Sequence, residues 1–270
     1  MTITPRVIPC LLLQGRGLVK TRRFRDPLYV GDPVNAIRIF NEKEVDELML
    51  LDIMASPEGR GPNFRLISQI TSECFMPLAY GGGVTSVEQI AELFSLGVEK
   101  VVLNRSAVER PDLVSRAADR FGSQSIVVSI DAWRGRWGGY RVYTLGGTQD
   151  AGVDPAAFAA RMQEMGAGEL LVTSIDRDGT MEGYDLQLIH KVASAVSVPV
   201  VASGGAKGLE DFRRAVIEAS ASAVAAGSLF VFQMPHRAVL ISFPSREELE
   251  ATFGTSPSMP SGGQARLSTG

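Results

Sequence analysis

Histidine and cysteine are both scarce in this sequence, which has two of each among 270 residues. Two histidines are too few for a His-rich metal cluster, so we expect no metal, no cofactor and acid–base chemistry based on carboxylates. Cys10 and Cys74 each lie in an apolar context, which predicts buried thiols rather than a disulfide.

The sequence also lacks a long apolar run and a strong excess of charge. No stretch of about 18 apolar residues is present, and such a stretch is what a membrane-spanning helix requires. The net charge of −3 provides no basic field to attract nucleic acid or anionic lipid. Pro5, Arg6 and Pro9 interrupt the start of the chain, which is unlike a signal peptide. We therefore expect a cytoplasmic protein that binds neither nucleic acid nor membrane.

Short apolar runs alternate with amphipathic helical stretches, a pattern typical of parallel βαβ units. The runs span residues 6–12, 47–53, 76–80, 100–104, 125–131, 169–175, 198–202 and 221–226. Nearly continuous apolar runs are typical of strands buried on both faces. The sequence therefore predicts an α/β protein with one (β/α)₈ TIM barrel over residues 1–253. A disordered tail is expected over residues 254–270, which are rich in Ser, Gly and Pro.

An internal repeat indicates two similar half-barrels. Each half has a strand-end aspartate, then adjacent glycines, then a small polar residue. The members are Asp52, Gly81-Gly82-Gly83 and Asn104 in the first half, and Asp176, Gly204-Gly205 and Gly227-Ser228 in the second. Two ligand sites facing each other across one mouth would follow. The alternative is that glycine pairs simply end strands, as they do in many barrels.

The glycine loops are candidates for phosphate binding, because their backbone N–H groups and a following helix N-terminus attract anions. One predicted site comprises Gly82, Gly83 and Asn104. The second predicted site comprises Asp178, Gly179, Gly205 and Ser228. Two such sets predict a substrate with phosphate at both ends.

Polar residues at strand ends are the candidates for chemistry, since barrel active sites lie at the C-terminal strand ends. Asp131 follows an apolar run, so we interpret it as a partly desolvated general acid or base, although it could instead cap a loop. Asp52 and Asp176 end other strands similarly. Lys20 lies in a long basic first loop, residues 14–25, which is interpreted either as a mobile lid or as a solvated loop.

Two further patterns have open interpretations from the residues alone. Four charged residues each begin a predicted strand, which predicts a ring of alternating charge at the N-terminal face: Arg6, Glu47, Lys100 and Glu169. Spacing alone favours a salt-bridged plug over a gate.

An aromatic segment between Trp133 and Tyr143, with glycines at 135, 138 and 139, predicts a hairpin that covers the mouth or packs on its rim.

The sequence resembles the cyclase subunit of imidazole glycerol phosphate synthase, the HisF family of histidine biosynthesis, over about residues 5–253. The stretches that carry the resemblance are 46–52, 80–83, 121–124, 166–169, 173–180 and 202–206. The resemblance implies a lyase-type synthase that takes ammonia from a glutaminase (HisH-like) subunit docked at the N-terminal face. Ammonia then passes through the barrel to a bisphosphorylated ribulosyl substrate.

The resemblance also implies individual roles. The ring at the N-terminal face matches the ammonia gate, so the plug interpretation gives way to a gate. Asp131 matches one of two catalytic carboxylates. The residues implied in substrate and phosphate binding are Lys20, Asp52, Gly83, Asn104, Thr173, Asp178, Gly179, Ser203, Gly205 and Ser228.

The second catalytic carboxylate is absent, because Leu12 stands where the family has aspartate. Leucine cannot exchange a proton, which counts against the usual two-carboxylate cyclisation. Arg105, Tyr80, Ala79 and Val102 are further departures, predicted to lie near the mouth and interior.

Stretches 10–13, 17–21, 94–97, 228–232 and 237–241 resemble a side branch of the family associated with surface-polysaccharide genes. Members of that branch are thought to supply ammonia for converting an acetamido sugar to an acetamidino sugar. Three hypotheses result: an ammonia-delivering subunit of this branch, a histidine-pathway cyclase that tolerates Leu12, and a non-catalytic scaffold that conducts ammonia.

Overall fold

The structure, a computed structural model, describes residues 4–135, 138–233, 236 and 238–254. The tail predicted over 254–270 lies outside the described residues from 255 onwards, as does Trp137 of the aromatic segment. Gly254, the first residue of that predicted tail, instead ends the last helix.

Fourteen strands and ten α-helices are found in the described part of the chain. The strands are β1 (Arg6–Gln14), β2 (Gly17–Arg22), β3 (Arg25–Gly31), β4 (Leu48–Asp52), β5 (Leu78–Gly81), β6 (Lys100–Leu103), β7 (Ile126–Arg134), β8 (Tyr140–Thr144), β9 (Gln149–Asp150), β10 (Glu169–Ser174), β11 (Val200–Ser203), β12 (Ala223–Ala226), β13 (Phe232–Gln233) and β14 (Ala238–Val239). The helices are α1 (Pro33–Glu42), α2 (Phe64–Thr71), α3 (Val87–Ser95), α4 (Arg105–Glu109), α5 (Asp112–Phe121), α6 (Pro155–Glu164), α7 (Leu186–Ala193), α8 (Leu209–Ile217), α9 (Ser228–Val231) and α10 (Arg246–Gly254).

Eight parallel strands close into a barrel, which confirms the predicted fold. Their order around the barrel is β1, β4, β5, β6, β7, β10, β11 and β12, and β12 pairs with β1 to close it. Each predicted strand corresponds to one of these eight. In this order β1 and β7 are four strands apart, so they face each other across the barrel.

Side chains alternate between the barrel interior and the surrounding helices, as the period of two along a strand requires. The interior cluster contains Ile8, Cys10, Met49, Ala79, Val102, Val127, Leu171, Val201, Ala223 and Ala225. Tyr80 packs instead in the outer cluster against the helices. The interpretation of Tyr80 as an interior residue is therefore wrong, although its hydroxyl donates to the Gly82 carbonyl at 3.3 Å in the loop after β5. Ala79 and Val102 do face inward.

Two antiparallel excursions rise from the C-terminal face of the barrel. The chain leaves β1 through hairpin β2–β3, in which β2 pairs with both β1 and β3. It leaves β7 through β8, which pairs with β7 and then with the short β9. The aromatic segment thus contains the predicted hairpin.

Side-chain caps fix where several helices begin. Asp32 accepts a hydrogen bond from the Asn35 backbone N–H at 3.0 Å, with Pro33 in the first turn of α1. Asp154 and Pro155 form the same arrangement at α6. None of the helices in the described part of the chain has both the length and the apolar composition that crossing a bilayer requires.

Candidate functional site at the barrel mouth

Leu12 and Asp131 face each other at the same height across the barrel mouth. Strand pairing leads from Leu12 through β4, β5 and β6 to Val127, four residues before Asp131. In the other direction it leads from Asp131 through β10, β11 and β12 to Ile8, four residues before Leu12. The two offsets are equal, as the stagger of an eight-stranded barrel requires. A carboxylate therefore faces an aliphatic side chain.

Asp131 belongs to an inward-facing polar row. It pairs in register with Thr173 of β10, which pairs with Ser203 of β11. Burial raises the pKa of Asp131 to about 7, a hydrogen bond from Ser129 opposes that shift, and the negative charge of Asp178 adds to it. The Ser129 hydroxyl donates to the Asp131 carboxyl at 3.0 Å. A carboxyl with a pKa near 7 is suited to both accepting and donating a proton at neutral pH.

The raised pKa of Asp131 predicts a specific loss of stability with pH. The unfolded chain releases this proton near pH 4, whereas the folded chain retains it to about pH 7. The folded state therefore loses stability relative to the unfolded state as the pH rises through that window. Asp131→Asn is expected to lack this pH dependence. Between about pH 4 and pH 7, its free energy of unfolding should therefore fall by on the order of 2–4 kcal/mol less than that of the wild type.

Urea unfolding at pH 4.5 and pH 8 measures this difference. Asp112→Asn is the matched control, because the Asp112 side chain is 68% exposed on α5. The free energy of unfolding of Asp112→Asn should change with pH as that of the wild type does. If Asp131→Asn also follows the wild-type profile, the Asp131 carboxyl is solvated and ionised throughout.

A cleft opens beside Leu12 and gathers all four residues of the second predicted phosphate site. Its lining includes six predicted residues: Lys20, Asp178, Gly179, Ser203, Gly205 and Ser228. Cys10, Leu12, Met181, Gly204, Ala206, Ala226 and Gly227 complete the lining. Glycines of strand-end loops and a cationic side chain thus line one space, a combination that suits an anion.

Lys20 is buried in this cleft, so the solvated-loop interpretation is wrong for this residue. It is 5% exposed, and its ammonium donates to the Cys10 carbonyl oxygen at 2.5 Å. Burial lowers the pKa of Lys20, with Asp178 opposing the shift, and burial raises the pKa of Cys10 to about 11. Gly227 lies against the Lys20 ammonium, where any side chain would collide with it. Arg22, Arg23 and Arg25 are exposed, as that interpretation expected.

The tip of hairpin β2–β3 is docked onto the loop after β10. The Thr21 hydroxyl donates to the Asp178 carboxylate at 2.7 Å, and the Arg23 backbone N–H donates to the Asp178 carbonyl at 2.8 Å. Arg23 and Phe24 have φ of +54° and +59°, a conformation that non-glycine residues rarely adopt. Gly179 permits the approach, because a Cβ there would overlap the Thr21 carbonyl. The described hairpin therefore closes over one side of the mouth.

Gly179→Ala is expected to release the hairpin tip. Losing both contacts to Asp178, at about 1 kcal/mol each, should make amide hydrogen exchange in β2 and β3 about tenfold faster or more. Gly152→Ala is the matched control, since Gly152 has a similar φ of +72° against +66° but has no atom within 4 Å of the position that a Cβ would take. Exchange measured by mass spectrometry compares the two variants. Equal rates in β2–β3 would show that the docking contacts do not hold the hairpin.

The two glycine loops make equivalent approaches in the two halves of the barrel. A Cβ on Gly82 would overlap the Asp52 carbonyl, and one on Gly204 would overlap the Ser174 carbonyl. Gly83 and Gly205 each pack in the same way against the backbone of the preceding loop. This correspondence gives the sequence repeat a structural basis, because both halves need glycine where two strand-end loops touch.

Asn104 links the end of β6 to β7 and β8. Its side-chain amide donates to the carbonyls of Ser129 and Tyr143 at 3.2 and 3.3 Å. Asn104 is thus held beside the residues that contact Asp131.

Arg105 forms an ion pair with Glu109 at 2.7 Å on the exposed side of α4.

Asp52 is occupied by contacts within the protein, which sequence reasoning missed. Arg60 forms two hydrogen bonds with its carboxylate, at 2.7 and 2.9 Å, and the backbone N–H groups of Met54 and Ala55 donate to it as well. The Asp52 side chain is 1% exposed. We conclude that Asp52 fixes the loop after β4. No sequence pattern pairs Arg60 with Asp52, since the arginine lies within an irregular loop.

The four charged residues at the opposite face form a closed ring. Arg6 contacts both Glu47 and Glu169, and Lys100 bridges the same two carboxylates at 2.9 Å each. Both glutamates are buried. The positive and negative side chains alternate, so the ring is neutral and spans one end of the interior cluster. The described residues contain no group of three or more His, Cys, Asp or Glu arranged to hold a metal.

The aromatic residues of the β7–β8 hairpin divide between its two faces. Trp133 and Tyr143 lie 6.1 Å apart between ring centroids, and Arg25 approaches the Trp133 ring at 5.9 Å. Tyr140 points the other way and donates to the Asp185 carboxylate at 2.9 Å. One face of the hairpin therefore turns towards the mouth and the other packs on α7.

Comparisons with known proteins agree with this architecture. The family model described as histidine biosynthesis protein matches residues 6–235. A Pseudomonas aeruginosa protein with the provisional name imidazole glycerol phosphate synthase subunit hisF2 is 54% identical over 245 residues, covering 91% of this chain and 98% of its own. A provisionally named HisF subunit of Leptospira interrogans is 47% identical, covering 93% and 99%.

An Alkaliphilus metalliredigens protein named imidazole glycerol phosphate synthase subunit HisF is 42% identical over 228 residues, covering 84% of this chain and 90% of its own. Each of these relatives is matched over 90% or more of its own length. The chain therefore belongs to the histidine biosynthesis protein family, as a HisF-type subunit of imidazole glycerol phosphate synthase.

Proposed function

We propose that this chain accepts ammonia from a HisH-like glutaminase at its N-terminal face and delivers it to a phosphorylated substrate at the mouth. The acceptor belongs to the amidino-sugar branch of surface-polysaccharide synthesis. The observation that carries the proposal is a complete charged ring at one end of the barrel, combined with Leu12 opposite Asp131 at the other. The supply end keeps the residues of an ammonia gate, whereas the acceptor end has lost one of two carboxylates.

The barrel interior supports delivery. The side chains between the ring and the mouth are apolar or small, among them Ile8, Ala79 and Ala225. Such a lining offers neutral ammonia a passage and offers a charged ion no compensating partner. Asp131 then supplies a proton acceptor or donor where ammonia would emerge.

The mouth supports a changed acceptor. Removing one general acid or base typically lowers a rate by about 10²–10⁴-fold, so a cyclisation that needs two carboxylates suffers with Leu12 in place. Lys20, Gly205 and Ser228 still line an anion-binding cleft, which keeps a phosphorylated substrate in the proposal. The provisional names of the Pseudomonas and Leptospira relatives leave the acceptor open.

Two other functions are weaker. A histidine-pathway cyclase is favoured by the name of the Alkaliphilus relative, but it requires chemistry without the second carboxylate. A conducting scaffold needs no buried carboxyl at its exit, and Asp131 with a pKa of about 7 counts against it. Loss of ammonia transfer in Asp131→Asn, with glutaminase activity retained, would separate a catalytic subunit from a scaffold.

Two experiments test the proposal directly. Expressed in a histidine auxotroph that lacks the cyclase, the unmodified chain should not restore growth. In its own organism, deletion of its gene should leave acetamido groups where the wild-type surface polysaccharide carries acetamidino groups, as read by mass spectrometry. Growth of the auxotroph, or an unchanged polysaccharide, would overturn the assignment to the amidino-sugar branch.

A further inference from the structure

Asp131 lies at the point where strand β7 changes its neighbour along one edge. Strand β6 pairs with this edge as far as Val128 and ends at Leu103, whereas β8 begins to pair with it at Asp131. The other edge pairs with β10 throughout this region. Ser129 and Ile130 therefore lie between two ladders on the first edge, where a backbone carbonyl needs a partner from outside the strands.

The side chain of Asn104 fills this junction. Its amide nitrogen donates to the Ser129 carbonyl at 3.2 Å and to the Tyr143 carbonyl at 3.3 Å. Tyr143 is the register partner of Asp131 on β8. A flipped amide would place its oxygen against two carbonyl oxygens, so the hydrogen-bond network fixes the orientation of the side chain. The amide thus holds β7 just before Asp131 and β8 directly opposite it.

This use of Asn104 leaves its side chain without a donor for an anion. A side-chain amide has two N–H groups, and two backbone carbonyls accept from this one. The remaining oxygen is an acceptor and cannot bind a phosphate oxygen. Asn104 also precedes α4 at the N-cap position without forming a side-chain cap, although asparagine is among the preferred N-cap residues. The side chain is therefore directed to the strand junction.

Ser129 acts on the carboxyl itself. Its side chain lies on the same face of β7 as that of Asp131, is buried, and donates to the carboxyl at 3.0 Å. Leu12, which faces Asp131 across the mouth, offers no second hydrogen bond. One residue thus fixes the backbone at the junction, and the other orients the carboxyl that this backbone carries.

We propose that Asn104 and Ser129 are positioning residues for Asp131, with the Asn104 amide bonded to the strand junction rather than to a phosphate. The inference rests on the proposed function, which makes Asp131 the group that exchanges protons at the mouth. Without Asn104, β8 would separate from the junction and water would reach the carboxyl. Without Ser129, the carboxyl would lose the hydrogen bond that favours its ionised form.

The other ionisable groups around Asp131 stay unchanged in this comparison. Asp178, in the loop after β10, raises the pKa of Asp131 through its charge. Cys10 of β1 is held neutral, because burial raises its pKa to about 11. Lys20 of β2 donates to the Cys10 carbonyl and lies near Asp178. Substitutions at 104 and 129 remove none of these groups, so a shifted titration of Asp131 reports on its positioning.

Titration of the Asp131 carboxyl by carbon-13 NMR tests the role of Ser129. The full chain carries side-chain-labelled aspartate, and Asp131→Asn identifies the resonance, whose wild-type midpoint is about pH 7. Ser129→Ala should raise the midpoint by about one pH unit, the effect of losing one hydrogen bond to a charged acceptor. Ser129→Thr retains the hydroxyl and should keep the wild-type midpoint. An unchanged midpoint in Ser129→Ala would overturn the role of Ser129.

Asn104→Ala should shift the same midpoint in the opposite direction. Burial is the largest cause of the raised pKa of Asp131, so hydration of the carboxyl should lower the midpoint by about one unit or more towards its ordinary value. Amide hydrogen exchange in β8 should become about tenfold faster or more, because two hydrogen bonds at the junction are lost.

Asn63→Ala is the matched control for Asn104→Ala. Asn63 is also an N-cap asparagine, but its side chain accepts the Leu66 backbone N–H at 3.2 Å and caps α2. This variant should keep the wild-type midpoint and exchange in β8. A wild-type midpoint in Asn104→Ala, or an equal shift in Asn63→Ala, would overturn the role of Asn104. The measurements need neither glutaminase nor acceptor, so their outcome is independent of the auxotroph and polysaccharide tests.

Discussion

Leu12→Asp is expected to increase histidine-pathway cyclisation by about 10²-fold or more and to let the chain restore growth of a cyclase-deficient auxotroph. The substitution places a second carboxylate opposite Asp131 at the same height, as strand pairing around the barrel shows. One carboxyl can then donate a proton while the other accepts one. The rate of imidazole glycerol phosphate formation with ammonium chloride as the nitrogen source measures the gain.

Leu51→Asp is the matched control for that prediction. Leu51 is the register partner of Leu12 on β4 and packs, like Leu12, at the edge of the interior cluster. It adds the same charge to the mouth, one strand away from the position opposite Asp131, and should leave the rate at the wild-type level. Equal rates for wild type and Leu12→Asp would mean that other departures, such as Arg105, exclude the histidine-pathway substrate.

Lys100→Met is expected to lower the free energy of unfolding by about 3–5 kcal/mol. The substitution leaves Glu47 and Glu169 to share Arg6 alone, and their side chains are 4% and 5% exposed. A buried carboxylate that loses its partner keeps the full penalty of leaving water. Equilibrium unfolding in urea at pH 7 measures the loss.

Arg38→Met is the control for the ring, because the Arg38–Glu73 ion pair is 57% and 36% exposed. Breaking an exposed pair should change the unfolding free energy by about 0–1 kcal/mol. Adding Glu169→Gln to Lys100→Met should recover part of the lost free energy of unfolding, because it removes a carboxylate that has lost its lysine partner. A loss in Lys100→Met no larger than in Arg38→Met would show that water solvates the ring.

The barrel itself was predictable because its strands are buried on both faces and so leave continuous apolar runs. The structure moves individual strand ends by one to three residues: β7 continues to Arg134, beyond the run that the sequence showed. It continues because β8 pairs with it, and that pairing depends on a turn rather than on apolar character. The hairpin β2–β3 had no strand signal for a similar reason, since its outer strand is mostly exposed.

Residue types at the mouth were predictable, but their partners were not. Lys20 belongs to a basic segment, and nothing local distinguishes it from the exposed Arg22 and Arg23. Its burial depends on the fold of the hairpin over the cleft. The pairing of Asp52 with Arg60 likewise depends on how an irregular loop returns to its strand. The orientation of Tyr80 depended on the phase of a four-residue strand, where a shift of one position exchanges the two faces.

The apolar lining of the barrel has a consequence for proton traffic. Ile8, Met49 and Val127 lie between the ring and the mouth and offer no compensation to a cation that has lost its hydration. Under the proposed function, nitrogen crossing this region would travel as the uncharged base, so an ammonium ion would release its proton before entering. The proton would stay on the side of the proposed glutaminase, and each delivery would leave that side more acidic. The nucleophile would arrive without a proton to give away, and Asp131 would be the group positioned to supply or remove protons as the new C–N bond forms.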